Sequence, residues 1–480
     1  MENLSYDVIV VGGGPAGSTA ATVVAMRGHR VLLLEKEHFP RYQIGESLLP
    51  STVHGLCRLL GVDDEVSRAG FTLKRGGTFR WGRNAKPWQF SFAMSPRVPE
   101  PTSTAFQVER SRFDEILLRN AVDNGVEVRE GCAVRAVVSD GDRVRGVEYT
   151  DAGGTARTAH ARFVVDASGN TSRLHRQLGE RIQSDFFRNL AVFGYFAGGA
   201  RLPEPQRGNI FCAAFDAGWL WYIPLRDDLT SVGAVVAPEH RALIQQDPRT
   251  AWTELIAACP EVAEKLDGVP AATEAPYDQV RVRKDYSYWK EKFWAPGISL
   301  VGDAACFVDP VLSSGVHLAT YGALLAARSV NSCLDGMAEE QSFAEFETRY
   351  RREYSLFYRF LISFYDMHRD EKSYFWSAKK LTDVATDETA AFAELVAGLA
   401  SADADLTDLS AAAADFGHAV DALATAGDEV NPLYTSQVVG ATFHEGKRLQ
   451  DEARFGAGTD PAGGLTTAKD GLGWAAPDVR

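Results

Sequence analysis

Gly12-Gly13-Gly14-Pro15-Ala16-Gly17 has the spacing GxGxxG. In such a run the first glycine permits a tight turn, the second lets the backbone approach a pyrophosphate, and the third permits close helix–strand packing. Gly12, Gly14, Ala16 and Gly17 are therefore candidate dinucleotide-binding residues, with the free N–H groups of a helix start aimed at the phosphates. Glu35 stands 18 residues beyond Gly17, where a carboxylate can accept both hydroxyls of an adenosine ribose. Two acidic turns, Asp166-Ala167-Ser168-Gly169 and Gly302-Asp303-Ala304-Ala305, each follow a strand-like run. An acid presented from a strand end onto a helix start can hold the ribityl chain of a flavin, and the helix dipole favours the reduced, anionic ring. Either turn alone is equally a capped helix start, because Asp and Ser are common N-caps.

Those residues need a frame. Tyr6–Val11 reads as a continuous apolar strand, Ala16–Met26 as a small-residue helix and Val31–Leu34 as a second strand, which together make one βαβ unit. A helix pattern runs from Ala105 to Gly125, with Phe113, Ile116, Leu117 and Ala121 on one face. Strand-like stretches follow near Val144–Tyr149 and Phe163–Val165, residues 187–240 alternate like antiparallel strands, and Ile298–Val301 feeds a glycine-rich turn and a helix through Val330. Beyond Gly336, Phe343, Phe346, Tyr350, Tyr354, Phe357, Phe360 and Phe364 form an aromatic helix stripe, read as packing rather than substrate contact. Residues 381–427 are rich in Ala and Asp and read as helical, and from Phe455 onward the composition is that of a mobile tail.

Composition removes several function classes. Against 50 Lys plus Arg stand 64 Asp plus Glu, a net charge of −14 over 480 residues. That balance argues against an extended nucleic-acid footprint, which needs a basic face. The six cysteines are scattered without a CxxC pair or metal-ligand spacing, so a metal site is not expected and reduced thiols are. With no basic leader and no apolar run of membrane length, the expectation is a cytoplasmic chain without a membrane span.

Three strand-to-helix turns in this order resemble the FAD fold of the para-hydroxybenzoate hydroxylase type. Phe39-Pro40-Arg41 followed by Gly45-Glu46-Ser47-Leu48-Leu49-Pro50 is similar to a segment shared by geranylgeranyl-reductase-like flavoproteins and flavin-dependent halogenases. Trp219-Leu220-Trp221-Tyr222-Ile223-Pro224 fits WxWxIP, which marks the halogenases among these relatives. Gly70–Gly76 resembles the segment carrying the halogenase lysine, and Asp309–His317 resembles the loop around the isoalloxazine and the halide. Four separated motifs thus agree in order with a flavin-dependent halogenase.

The resemblance implies an α/β fold in three parts. A discontinuous Rossmann-like FAD-binding domain takes residues 1–75, 105–180 and 277–335. An inserted antiparallel β-sheet substrate domain takes 76–104 and 181–276, followed by a helical extension over 336–454 and a mobile tail over 455–480. Lys74 is the implied catalytic residue, although read alone it is a solvated lysine. To the glycine turn and Glu35 it adds Lys36, Arg41, Glu46, Ser47, Arg110, Asp166, Ser168, Gly169, Gly302, Asp303, Pro310, Gly315 and Val316 as FAD contacts, with the halide at Ser314 and Gly315. Trp219, Trp221, Ile223 and Pro224 would bar a substrate from the flavin; as plain strand residues, one indole would face the core and the other would not. His317 reads as a structural hydrogen-bonder and Cys306 as a small buried hydrophobe.

The implied chemistry is monooxygenase-like halogenation in antibiotic or other natural-product biosynthesis. It uses reduced FAD, dioxygen and chloride or bromide, with hypohalous acid meeting Lys74. A separate NAD(P)H flavin reductase is expected as partner, since the single GxGxxG leaves no evident nicotinamide site. Tryptophan halogenases carry a glutamate just before the Ser-Thr-Gly of the halide loop, and here that place is Leu312. The chain also lacks the large insertions of tryptophan enzymes. Both departures point to an electron-rich phenol or pyrrole, free or tethered to an acyl or peptidyl carrier protein. An acidic carrier needs a local basic face, for which Arg349, Arg351, Arg352, Arg359, Lys379 and Lys380 are candidates; the competing reading pairs them with Glu345, Glu347 and Glu353 as a solvated face. The alternatives are an FAD-dependent aromatic hydroxylase, a geranylgeranyl-reductase-like oxidoreductase, or a non-catalytic flavin protein that contacts a carrier.

Overall fold

The computed structural model describes residues 6–81, 87–95, 98, 100–172, 174, 178–184, 186–245, 247–284, 287–366, 393, 395–398 and 464–476. The centre of the first sheet is parallel, in the order Ile298–Leu300, Ala156–Asp166, Tyr6–Val11, Val31–Leu34 and Glu127–Arg129. Val8 lies between Phe163 and Val31. Parallel strands covered on both faces need uninterrupted apolar runs, and Val8, Ile9, Val10, Leu32 and Leu33 are all fully buried. Helix Pro15–Ala25 opens directly after the first strand and packs against helices Gly315–Leu334 and Arg110–Asp123. This is the Rossmann-like arrangement. It places the glycine turn and both acidic turns at the carboxyl ends of neighbouring strands.

Seven strands form the inserted sheet, in the order Arg281–Lys284, Leu190–Phe196, Leu229–Val236, Gly218–Arg226, Ile210–Phe215, Gly76–Arg80 and Trp88–Ser91. One face packs Val192, Leu220 and Tyr222 against Trp252 and Leu255, while Trp219, Trp221 and Ile223 on the other face join the main core. Two expectations need correction here. Arg281–Lys284 pairs with Leu190–Phe196, so the sheet extends past residue 276 into the stretch assigned to the flavin domain. Ala105–Gln107 is not the start of a helix but a strand paired with Thr72–Lys74, and the helix runs Arg110–Asp123. Tertiary pairing overrides the local helical pattern there.

Helix Glu339–Asp366 buries its whole aromatic stripe, from Phe343 and Phe346 to Phe360 and Phe364. Arg349 pairs with Glu345 at 2.6 Å and Arg351 with Glu347 at 2.6 Å, which commits both within the chain. The solvated-face reading is corrected for Glu345 and Glu353, which are buried, Glu353 against His317. Lys379 and Lys380, and most of residues 381–427, lie outside the described residues. The tail expectation is corrected for residues 464–476. They form a hairpin, Thr466–Thr467 with Trp474–Ala475, that buries Leu465, Leu472 and Trp474. Trp474 donates its indole N–H to Ser329 Oγ at 2.8 Å and its backbone N–H to Ser332 Oγ at 2.7 Å, and Arg27 bridges to Asp470 at 2.8 Å. A few apolar side chains suffice to dock a segment whose average composition is that of a linker. No helix among the described residues is long and apolar enough to cross a membrane.

Candidate active site

The glycine turn is shaped by exclusion. Gly12 has φ 100°, and a Cβ there would lie 2.6 Å from the Ala167 carbonyl oxygen. A Cβ on Gly17 would collide with the Gly12 carbonyl oxygen, so helix and strand approach too closely for any side chain. Gly14 is the N-cap of helix Pro15–Ala25, with Pro15 at its first position and Ala16 buried behind it. Glu35 is buried at the end of the second strand and accepts Gly13 N–H at 2.6 Å and Glu37 N–H at 2.9 Å. Lys36 is exposed and lies 3.8 Å from Glu37.

Two arginines converge on one buried acid. Arg110 Nε donates to Asp114 Oδ1 at 2.7 Å and its Nη2 to Oδ2 at 2.9 Å, while Arg41 Nη1 reaches Oδ2 at 2.9 Å. Arg41 Nη2 lies 3.2 Å from the Cβ direction of Gly14, which places a guanidinium beside the helix start. Arg110 Nη1 also donates to Ile44 O at 2.6 Å and fixes the segment leading to Glu46 and Ser47. Glu46 accepts the Tyr195 hydroxyl at 2.7 Å, and burial pushes its carboxyl up to about 7.

The two acidic turns differ. Asp166 accepts Ser168 N–H at 3.0 Å, Ser168 Oγ–H at 2.6 Å and the Ser172 hydroxyl, so its hydrogen bonds stay within its own loop, which turns at Gly169 (φ 80°). Asp303 instead sits in the turn Gly302–Ala304, where burial raises its carboxyl against the opposing charges of Arg110, Arg283 and Arg181. Gly302, at φ 60°, lies where a Cβ would press on Ala16 at 3.2 Å and Ala319 at 3.4 Å.

Pro310 opens the turn Pro310–Leu312, Ser313 is left-handed at φ 61°, and Ser314 caps helix Gly315–Leu334 with Gly315 and Val316 in its first turn. Glu46 Oε2, Ser47 Oγ and Ser314 Oγ are buried and make no hydrogen bond among the described residues. A glycine turn that excludes side chains, a guanidinium at the helix start and orphaned buried oxygens fit a bound FAD and a small anion.

Lys74 is placed by strand alternation. In Thr72–Lys74 the Leu73 side chain points outward, 40% exposed, and Lys74 points inward, 2% exposed. Its Nζ donates to Leu48 O at 2.9 Å and stands 5.4 Å from the Phe92 ring centroid. Burial lowers its pKa to about 7, so the neutral amine is accessible near neutral pH. The Leu48 carbonyl belongs to the Gly45–Pro50 segment, and Ser51 just beyond it bonds His317 Nδ1 at 2.9 Å. His317 Nε2 meets Glu353 Oε1 at 2.7 Å, so both ring nitrogens of this buried histidine are engaged within the chain.

Trp219 and Trp221 lie on one face, against the expectation that they point opposite ways. Residues two apart in a strand share a side, and both indoles are buried with ring centroids 6.1 Å apart. Trp221 donates to Ser231 Oγ at 3.2 Å and occupies the space left by Gly233. Ile223 is buried beyond them, and the pairing register shifts between Pro224 and Arg226. Trp219 donates to Tyr365 of helix Glu339–Asp366 at 2.5 Å. Neither Tyr365 nor Glu353 is legible as a site residue in the sequence, because both lie within the long aromatic helix without a motif of their own.

The chain matches the family model described as tryptophan halogenase over residues 7–100 and 95–414. A tryptophan 2-halogenase of Chondromyces crocatus is 40% identical over 78% of this chain and 71% of its own length. A flavin-dependent halogenase of Armillaria mellea is 32% identical over 84% of this chain and 83% of its own. Among solved structures, the myxobacterial chondrochloren halogenase CndH is 50% identical, with a TM-score of 0.77, covering 98% of this chain and 99% of that one. CmlS, a flavin-dependent halogenase, is 35% identical with a TM-score of 0.69, covering 78% of this chain and 67% of that one. The chain therefore belongs to the tryptophan-halogenase family and is a flavin-dependent halogenase, an oxidoreductase that works with reduced FAD.

Proposed function

We propose that this halogenase transfers chlorine or bromine to an electron-rich phenolic or pyrrolic ring through Lys74. The observation that carries the reading is the buried Lys74 amine, held by Leu48 O and shifted to about 7 by desolvation. Bound FAD, reduced by a separate reductase, supplies the two-electron activation of dioxygen. The glycine turn, Arg41, Glu46, Ser47, Arg110 and Asp303 hold it, and the backbone N–H groups near Ser314 and Gly315 hold the halide. Hypohalous acid reaching Lys74 has two fates. It either accepts a hydrogen bond from the amine, or it exchanges its hydroxyl for the amine nitrogen, leaving a haloamine and water. In both cases the halogen passes to the ring as an electrophile, the ring proton leaves, and the amine is restored.

Leu312 supports the phenol or pyrrole class, because it removes the acid that would assist an indole. A phenol activates its own ring, the more so as phenolate, and needs no such help. A second reading, an indole substrate, is favoured by the relative named tryptophan 2-halogenase. Mass spectrometry after incubation with FAD, a flavin reductase, NADH and either halide separates the two. The panel holds phenols, pyrroles and tryptophan, each ring offered free and on a carrier protein. Halide-dependent mass shifts on phenols or pyrroles are expected; a shift confined to tryptophan would replace this reading with the second.

A further inference from the structure

Helix Glu339–Asp366 ends on a polar joint. Tyr365 Oη accepts the Trp219 indole N–H at 2.5 Å and donates to the Asp309 carboxylate, lying 3.1 Å from both Oδ1 and Oδ2. Asp309 Oδ1 also accepts Val311 N–H at 3.1 Å and so caps the turn Pro310–Leu312 that leads to Ser314 and Gly315. Hydrogen bonds therefore run in series from the WxWxIP strand, through the C-terminal helix, to the backbone of the Asp309–Gly315 loop. Around the Tyr365 ring the neighbours are aromatic. Trp81 lies at a centroid distance of 5.7 Å and Phe187 at 5.3 Å. Trp81 is itself pinned, its indole N–H on Phe364 O at 3.2 Å.

We propose that Tyr365 is a positioning residue of this halogenase, holding the Trp219 indole in fixed register with the Asp309–Gly315 loop. The proposal rests on the halogenase reading given above and adds to it a residue of the C-terminal helix. Trp219 is 1% exposed and Asp309 fully buried. Removing the hydroxyl between them leaves the buried Trp219 N–H without its acceptor and takes one donor from Asp309, which keeps Val311 N–H and Asn189, so the indole is no longer tied to the loop. The groups that face Asp309 are Tyr365 from the helix, Asn189 from the segment before Leu190–Phe196, and Cys212 from Ile210–Phe215. Burial raises the Asp309 carboxyl to about 7, so its charge changes near neutrality and the joint titrates with it.

Two variants test this. Tyr365→Phe is expected to retain FAD to within about twofold of the parent but to lose about tenfold or more in halogenated product per reduced flavin consumed, a loss equal to roughly 1.4 kcal/mol in a rate constant. The second arm uses no substrate. The Trp219 fluorescence, taken as the difference from a Trp219→Phe protein, should step near pH 7 in the parent. It should not step in Tyr365→Phe, nor in Asp309→Asn, whose side-chain oxygen still accepts the Tyr365 hydroxyl but carries no charge to titrate. Parent-like coupling in Tyr365→Phe, or an unchanged step in Asp309→Asn, would overturn the proposal. If Tyr365→Phe does not fold, the Asp309→Asn titration decides alone. A parent protein that yields no halide-dependent product on phenols or pyrroles defeats the proposed substrate class, and leaves the fluorescence arm to judge the joint by itself.

Discussion

Lys74 shows how far one residue's environment changes its chemistry. A solvated lysine is a cation at pH 7, whereas this one, buried and holding Leu48 O, titrates at about 7. The charged form dominates below that value and the nucleophilic amine above it. Product formed per reduced flavin should climb through pH 7 and level off by about pH 8, falling about tenfold per unit on the acid side. Lys74→Ala should keep FAD and still consume dioxygen while yielding no halogenated product. Lys74→Arg should separate the two fates, since a guanidinium stays protonated and forms no haloamine but can still donate a hydrogen bond. A flat pH profile would leave only the hydrogen-bonding fate, and full halogenation by Lys74→Ala would remove the amine from the chemistry. The lysine could be picked out in the sequence only through its likeness to a family segment. Its burial comes from pairing with Ala105–Gln107, a strand that reads locally as helix.

At the scale of elements, the βαβ unit was the most legible part. Val8 to Val11, the glycine spacing and Glu35 agree because each reports the same short connection. Gly17→Ala tests that tightness: its Cβ would meet the Gly12 carbonyl, so flavin co-eluting with the protein on gel filtration should drop by about tenfold or more. Parent-like flavin occupancy would mean that the turn relaxes without loss. The WxWxIP strand was less legible. Its period-two geometry puts Trp219, Trp221 and Ile223 on one face, yet which face meets the core depends on a seven-stranded partner set assembled from four separate stretches of chain.

The whole molecule is tied together from its C-terminal side. Helix Glu339–Asp366 seals the core with aromatic rings, and the 464–476 hairpin clamps helices Pro15–Ala25 and Gly315–Leu334 through Arg27, Ser329, Asn331 and Ser332. Trp474→Ala removes a buried ring and its bond to Ser329, a change that costs about 3–5 kcal/mol. Differential scanning calorimetry of the holoprotein should show a thermal midpoint several degrees lower, with halogenation at low temperature retained. An unchanged midpoint would mean that the hairpin adds nothing to stability. Average composition concealed this segment, since Gly and Ala dominate it while Leu465, Leu472 and Trp474 do the packing.

Sequence by itself determined the dinucleotide turn, the order of strand-to-helix connections and the family, because these depend on short-range spacing and on side-chain types that a local backbone requires. Only the tertiary structure decided which acid stands among arginines and which is consumed by its own loop, Asp303 against Asp166. The fold likewise decided that Lys74 is buried, that both indoles share a side, and that Tyr365 joins Trp219 to Asp309. Desolvation and hydrogen-bond pairing are set by what arrives from distant parts of the chain, and no spacing within one segment encodes that arrival.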